Sequence, residues 1–305
     1  MDLSVVATVY NDAEIVPHLV KRISDALAPL SLSYEIILVN DNSPDNSEAA
    51  IEQEAIKNSY VKGISLSRNY GQQVAMSAGM RHAKGNYVLI MDGDLQNPPE
   101  KIPELLTKIK QGYDLVYTVG KQRNGWMDSL SSRFFWWLLA KVFKVKVVPY
   151  QLMMKLMTRE FLNRFNTYNE QNRTIAGIVN DIGLSYTTVE IENQKRTQGK
   201  SNYNFIKRFN LMIDVIISFS SAPLNIMIHF GWIIFLLTTL ASFYNLYLYI
   251  SDTVVPGYTS IILSIFFFGS LIILMLGFIG RYLANIYAEV KNRPLYSVRK
   301  TYNIE

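Results

Sequence analysis

Two stretches without a formal charge decide most of what this chain can become. No Asp, Glu, Lys or Arg occurs from residue 215 to 251, and none again from 253 to 280. A helix needs roughly 20 apolar residues to cross the hydrocarbon of a bilayer, and each stretch exceeds that. A helix at the surface of a soluble domain keeps a polar face, whereas IMIHFGWIIFLLTTLASFYNLYLYI and IILSIFFFGSLIILMLGFIGRYL are apolar nearly all round. They read as two transmembrane helices, at 223–251 and 259–284, joined by SDTVVPGYT. Basic residues set the direction. Lys195, Arg196, Lys200, Lys207 and Arg208 precede the first span, and Arg281, Lys291, Arg293, Arg299 and Lys300 close or follow the second. The connecting turn carries no basic residue, so both ends are expected on the cytoplasmic side, with 285–305 as a tail. The net charge of +5 belongs to these flanks rather than to an aromatic-studded basic stripe, which argues against nucleic acid as a partner.

The first two hundred residues have a different grammar. LSVVATVY, EIILVND, VKGISLSR and NYVLIMDGD are short β-rich runs, separated by the helical patterns AEIVPHLVKRISDALAPL, SEAAIEQEAIKN and GQQVAMSAGMRHAKG. Strands alternating with helices predict an α/β domain with a mostly parallel sheet covered on both faces. Its N-terminus, MDLSVVATVYND, lacks the basic and apolar regions of a secretory signal and is expected to stay in the cytoplasm. With no cysteine, thiolate metal sites and thiol nucleophiles are excluded. His18, His82 and His229 are too scattered to form a ligand cluster.

Ligands of such sheets bind beyond the carboxyl ends of the strands, and three predicted strand ends carry acids or amides: Tyr10-Asn11-Asp12, Asn40-Asp41-Asn42 and Asp92-Gly93-Asp94. No GxGxxG follows the first strand and no GxxxxGK[ST] occurs, so any phosphates are held by another device. A divalent cation would serve, with Asp94 as a direct ligand and Asp92 toward a ribose or the second shell. The cation would also offset the repulsion between the two carboxylates. Pro98 and Pro99 then turn the chain away from the site.

TVYNDAE, VNDNSPD, RNYGQQVAMSAGMRHAKGNYVLIMDGDLQNPPE and QGKSNY, followed by two spans, resemble the inverting family 2 glycosyltransferases that load a sugar onto polyprenyl phosphate. Dolichol-phosphate mannosyltransferases and bacterial undecaprenyl-phosphate glucosyltransferases are of this kind. The resemblance implies a GT-A fold, a nucleotide-diphosphate sugar donor (a UDP-sugar favoured), Mg²⁺ or Mn²⁺, and undecaprenyl phosphate at the bacterial inner membrane. By that resemblance Val9, Tyr10, Asp12 and Asp41 frame the nucleotide, Asp92 and Asp94 are the DxD pair, and Gln96 stands beside it. Lys121 and Arg123 in TVGKQRNG, with Arg196, Lys200, Ser201 and Tyr203 in KRTQGKSNY, match positions that face the donor and lipid phosphates.

Two segments bear on the membrane side. The stretches SSRFFWWLLAKVFKVKVV and NFIKRFNLMIDVIISFSSAPLN suit interfacial helices, expected over 131–146 and 204–222 within them. Gly269, Gly277 and Gly280 offer a small-residue face compatible with a homo-oligomer. The chain departs from the family pattern at Tyr150 to Lys155, where many relatives carry an acidic segment and this one carries no carboxylate. A phosphate acceptor is already anionic and needs little help from a base.

Two rival readings have weaker support. A processive polysaccharide synthase would show a QxxRW pattern, which Gln171 and Arg173 do not complete. A non-catalytic nucleotide-sugar sensor has the intact DxD against it.

Overall fold

A computed structural model describes residues 1–120, 148, 151–170, 175–183, 185–191 and 257–304, together with 229–234 and scattered positions up to 247. The described residues fall into two units, one built on an eight-stranded sheet and the other containing a long apolar helix.

The sheet is assembled from β1 (Leu3–Val9), β2 (Tyr34–Asn40), β3 (Val61–Leu66), β4 (Tyr87–Asp92), β5 (Leu115–Gly120), β6 (Gln151–Thr158), β7 (Tyr186–Ile191) and β8 (Val298–Tyr302). Its spatial order is β7-β5-β6-β4-β1-β2-β3-β8. Strands β4, β1, β2 and β3 run parallel, β6 is antiparallel to both β4 and β5, and β8 is antiparallel to β3. The centre is apolar on both faces: every residue of LSVVATV in β1 is buried. This is the pattern of a parallel sheet sandwiched between helices.

Helices α1 (Val16–Leu27), α2 (Ser47–Lys57) and α4 (Ile102–Ile109) cover one face, and α3 (Gln72–His82), α5 (Arg159–Thr167) and α6 (Ile175–Ile182) cover the other. Helix α1 begins with Pro17 in its first turn, where the missing N–H costs nothing. It buries Leu19, Ile23 and Leu27 on one stripe, each worth about 1.5–3 kcal/mol. Thr158 caps α5 by accepting the Phe161 N–H.

The opposite end of the sheet, away from the carboxyl ends of the parallel strands, contains a buried charge. Glu35 is fully enclosed and accepts from Ser4 Oγ, from the Lys62 ammonium and, at 2.7 Å, from the Lys84 amide. These three donors outweigh the upward push of burial and hold its carboxyl below the ordinary value. Ser4 Oγ in turn receives the Gly85 N–H, so the network fastens the α3–β4 turn to the start of β1 and β2.

The stretch read as a tail, 285–305, is largely structured. Residues up to Val290 continue the long helix, and Val298–Tyr302 form the edge strand β8. The polar pattern VRKTY gives no strand signal of its own. What recruits it is the partner it meets: Arg299 and Tyr302 reach Glu48, Lys300 reaches Glu52, and Asn303 donates to the carbonyls of Ala55 and Val61. The sheet domain therefore extends past 203 to include a strand from beyond the second unit.

In the second unit, a 33-residue helix spans Tyr258–Val290. Its part from Phe267 to Val290 is 24 residues long and contains an 18-residue stretch of mean hydropathy 1.8, long and apolar enough to cross a membrane. Among the described residues, Ile265, Ile273 and Val290 expose 64%, 72% and 76% of their surface, apolar exposure of the kind that marks contact with a membrane or with another protein surface. Among the described residues this is the one helix of that kind. The earlier expected span at 223–251 lies mostly outside the described residues, although those described between 229 and 247 are helical. Both expected interfacial helices, 131–146 and 204–222, also lie outside them.

Candidate active site

Four loops leave the carboxyl ends of the parallel strands side by side. After β1 come Tyr10, Asn11 and Asp12. After β2 comes Asp41-Asn42-Ser43, after β3 comes 67–71, and after β4 comes Gly93-Asp94-Leu95-Gln96. The first two loops are stitched together through backbone amides: Asn11 N–H donates to Ser43 Oγ at 3.2 Å, Asp12 N–H to Ser47 Oγ at 3.3 Å, and Ala13 N–H to Asp45 at 3.0 Å. Val9 offers its carbonyl to the Asp41 amide at 3.3 Å while its side chain is buried. Tyr10 is half exposed at the carboxyl end of β1.

Asp41 does something specific. It is 3% exposed, and its two carboxylate oxygens accept the Tyr70 and Gly71 amides, each at 2.8 Å. Burial raises its pKa, with the two amides opposing that shift. The acid expected to frame the nucleotide is thus clasped to the β3–α3 loop. Asp45, one residue before the N-cap position of α2, accepts the Ser47 N–H at 3.1 Å. Gly71 takes φ of +90°, a conformation that suits glycine, and α3 starts at the next residue.

From that clasped start, Gln72 donates its side-chain amide to Asp92 Oδ1. Its neighbour Gln73 accepts the Ile175 N–H at 3.2 Å and ties α6 to α3. Both glutamines of RNYGQQ are therefore engaged, one toward the site and one toward the scaffold.

Gly93 separates the two acids because nothing larger fits. A Cβ there would lie 2.5 Å from the Thr8 carbonyl oxygen, and the Gly93 N–H already donates to that oxygen at 3.1 Å. The chain then turns through Leu95 at φ of 60°, with Asp94 Oδ1 accepting the Gln96 N–H at 3.1 Å. Arg22 on α1 grips Glu100 through two nitrogens at 2.8 Å and holds the far end of this loop after Pro98-Pro99.

On the other side of Asp92 stands a residue that reading along the chain does not single out. Lys155, the last residue of the segment that lacks an acid, is 3% exposed on β6. Its ammonium donates to the Leu152 carbonyl at 3.1 Å and lies 5.8 Å from the Tyr117 ring centroid. Burial lowers its pKa to about 8, and the Asp92 carboxylate pulls it back up. Only the pairing of β6 with β4, distant in sequence, reveals this neighbourhood.

The structure thus brings Val9, Tyr10, Asp12, Asp41, Asp92, Asp94 and Gln96 to one end of the sheet. Lys121, Arg123, Arg196, Lys200, Ser201 and Tyr203 lie outside the described residues. No group of three or more His, Asp or Glu side chains converges among the described residues to enclose a metal. The hard oxygen donors of Asp92 and Asp94 at an open strand end suit a cation that keeps positions for phosphate oxygens and water, as Mg²⁺ and Mn²⁺ do.

A mostly parallel sheet gathers carboxylates at the ends of its central strands, and the sequence lacks the glycine-rich phosphate loop of a dinucleotide-binding domain. The family model for glycosyl transferase family 2 matches residues 4–180, and the chain belongs to that family of glycosyltransferases. An uncharacterized glycosyltransferase of Synechocystis sp. is 37% identical over 308 residues, covering 100% of this chain and 97% of that protein. The undecaprenyl-phosphate 4-deoxy-4-formamido-L-arabinose transferase of Proteus mirabilis is 32% identical over 99% of this chain and 94% of its own length. The SfII prophage-derived bactoprenol glucosyl transferase of Shigella flexneri is 32% identical, with 99% of each chain covered. Among solved structures, mannosyl-3-phosphoglycerate synthase from Rubrobacter xylanophilus shares the fold, with a TM-score of 0.52 at 16% identity over 76% of this chain and 75% of that one.

Proposed function

We propose that this glycosyltransferase moves a sugar, with inversion, from a nucleoside-diphosphate sugar to undecaprenyl or another polyprenyl phosphate at the cytoplasmic face of a bacterial membrane. The observation that carries the reading is the conjunction in one chain of the Asp92-Gly93-Asp94 strand end with a helix long and apolar enough to enter a bilayer. The two named polyprenyl-phosphate sugar transferases support it, since they align with this chain almost end to end, apolar region included.

In this mechanism the lipid phosphate oxygen attacks the anomeric carbon as the bond to the departing diphosphate breaks, so the nucleoside diphosphate leaves with the electron pair. The nucleophile is already anionic, which is why a segment without a carboxylate at Tyr150 to Lys155 is compatible with the reaction. Tyr10 and the loop of Asp12 receive the nucleotide. Asp94 would hold Mg²⁺ or Mn²⁺, whose charge would neutralise the departing diphosphate. Asp92, oriented by Gln72, faces the donor. Lys121, Arg123, Arg196, Lys200, Ser201 and Tyr203 are assigned to the phosphates of donor and lipid, whose mutual repulsion needs cationic neighbours.

The test is transfer of radiolabelled sugar from a panel of nucleotide sugars to undecaprenyl phosphate by the purified full-length protein, with Mn²⁺, with Mg²⁺ and with chelator. A lipid-extractable, cation-dependent product that Asp94→Ala abolishes is the expected result. No lipid product from any donor, despite donor binding, would remove polyprenyl phosphate as the acceptor.

A further inference from the structure

The strand register places a cation where the transfer reaction needs one. Ile90 of β4 pairs with Lys155 of β6. Side chains alternate along a strand, so Lys155, Ile90 and Asp92 share one face of the sheet, with Asp92 on the diagonal from Lys155 and within reach of a long side chain. The same face carries Val6, Val39 and Tyr117, and it is covered by α3, whose first residue donates to Asp92. Asp92 is therefore bracketed by a neutral donor from α3 and by a buried ammonium from β6. A lysine 3% exposed is rare unless something nearby repays its desolvation. One backbone carbonyl at 3.1 Å does not neutralise a charge.

We propose that Lys155 is a positioning residue of the transfer reaction, whose enclosed ammonium orients Asp92 and offsets the negative charge of the strand end so that a diphosphate can approach it. The proposal rests on the donor reading above. It makes the segment that lacks an acid the source of an internal cation: the strand end attracts the anionic donor more strongly, and a free divalent ion less strongly, than the two acids alone would. Charge acts with opposite sign on these two ligands, whereas loss of packing would weaken both.

Lys155→Met keeps the volume and removes the charge. With full-length protein in detergent, two affinities are measured: for UDP in the presence of chelator, and for Mn²⁺ at saturating UDP. A unit charge a few ångströms away through a partly polar medium is worth on the order of one decade. The expected result is UDP binding weaker by about tenfold and Mn²⁺ binding tighter by a similar factor, with Lys155→Arg restoring both to within about threefold. Lys155→Gln, which retains a polar partner for the Leu152 carbonyl, reports the same pair of affinities if the methionine variant does not fold. Shifts of the same sign, or none, in a protein whose wild type binds both probes would overturn the role of Lys155 alone. A wild type that binds neither would overturn the donor reading and this proposal with it.

Discussion

Asp41→Asn separates a scaffold role from direct ligand contact. The carboxylate accepts two backbone amides, from Tyr70 and Gly71, at 2.8 Å each. Hydrogen bonds to a charged acceptor are worth about 1.5–3 kcal/mol net, and a buried amide left without a partner costs about 1–3 kcal/mol. Asparagine keeps one acceptor and turns its NH₂ group toward the other amide, so one bond is lost and a donor faces a donor. The loop from 67 to 71 should then open more easily by about 2–4 kcal/mol. At 1.4 kcal/mol per decade, that is an increase of roughly 30- to 700-fold in hydrogen exchange at the Tyr70 and Gly71 amides. Because Gln72 follows directly and holds Asp92, turnover should fall along with this protection. Amide exchange at Tyr70 and Gly71 that stays at the wild-type rate, with only the donor KM raised, would refute the clasp and return Asp41 to the nucleotide alone.

Three further outcomes follow from the geometry. Gly93→Ala puts a methyl 2.5 Å from the Thr8 oxygen where ordinary contact begins at 3.4 Å, so β1 and β4 must part by about 0.9 Å (3.4 less 2.5). We expect about 1–3 kcal/mol lower stability in chemical denaturation and a fall in kcat of about 10- to 100-fold. Glu35→Gln leaves the Lys62 ammonium without its carboxylate and should cost about 3–5 kcal/mol at neutral pH. Since the folded carboxyl titrates below its unfolded value, that stabilisation is present above the ordinary carboxylate range and is lost as pH falls through the folded value. The gap between wild type and variant in pH-dependent melting should therefore close on acidification. Removing residues 293–305 strips β8 from β3 and exposes the edge that Tyr302 covers, so the sheet domain should become prone to proteolysis and association.

The sequence makes parts of this architecture legible and leaves others dark, for identifiable reasons. The central strands announce themselves because LSVVATV, EIILVN and YVLIMD are buried on both faces and need no partner to be recognised. The acids at their ends follow from the chain direction alone. The edge strand does not announce itself, since VRKTY is exposed at four of its five positions and owes its conformation to Glu48, Glu52 and the edge of β3. Lys155 is dark for a related reason. Its significance arises from an antiparallel pairing across more than 60 residues (155 less 90), and a local pattern notes only that an expected carboxylate is missing. Asp41 shows that a residue type at a strand end can be read correctly as important while its partners, two amides about 30 residues away, stay unseen.

The place of β8 in the chain has a consequence in time. Its residues are made only after the long apolar helix, so a ribosome delivers β1 to β7 well before the strand that closes the sheet. During that interval β3 is an open edge, the kind of surface that pairs with whatever strand arrives first. Completion of the sheet thus waits on synthesis of the long apolar helix. A chain stalled before that helix is finished has a sheet with one side unclosed, and the first full sheet exists only when the apolar helix has been made.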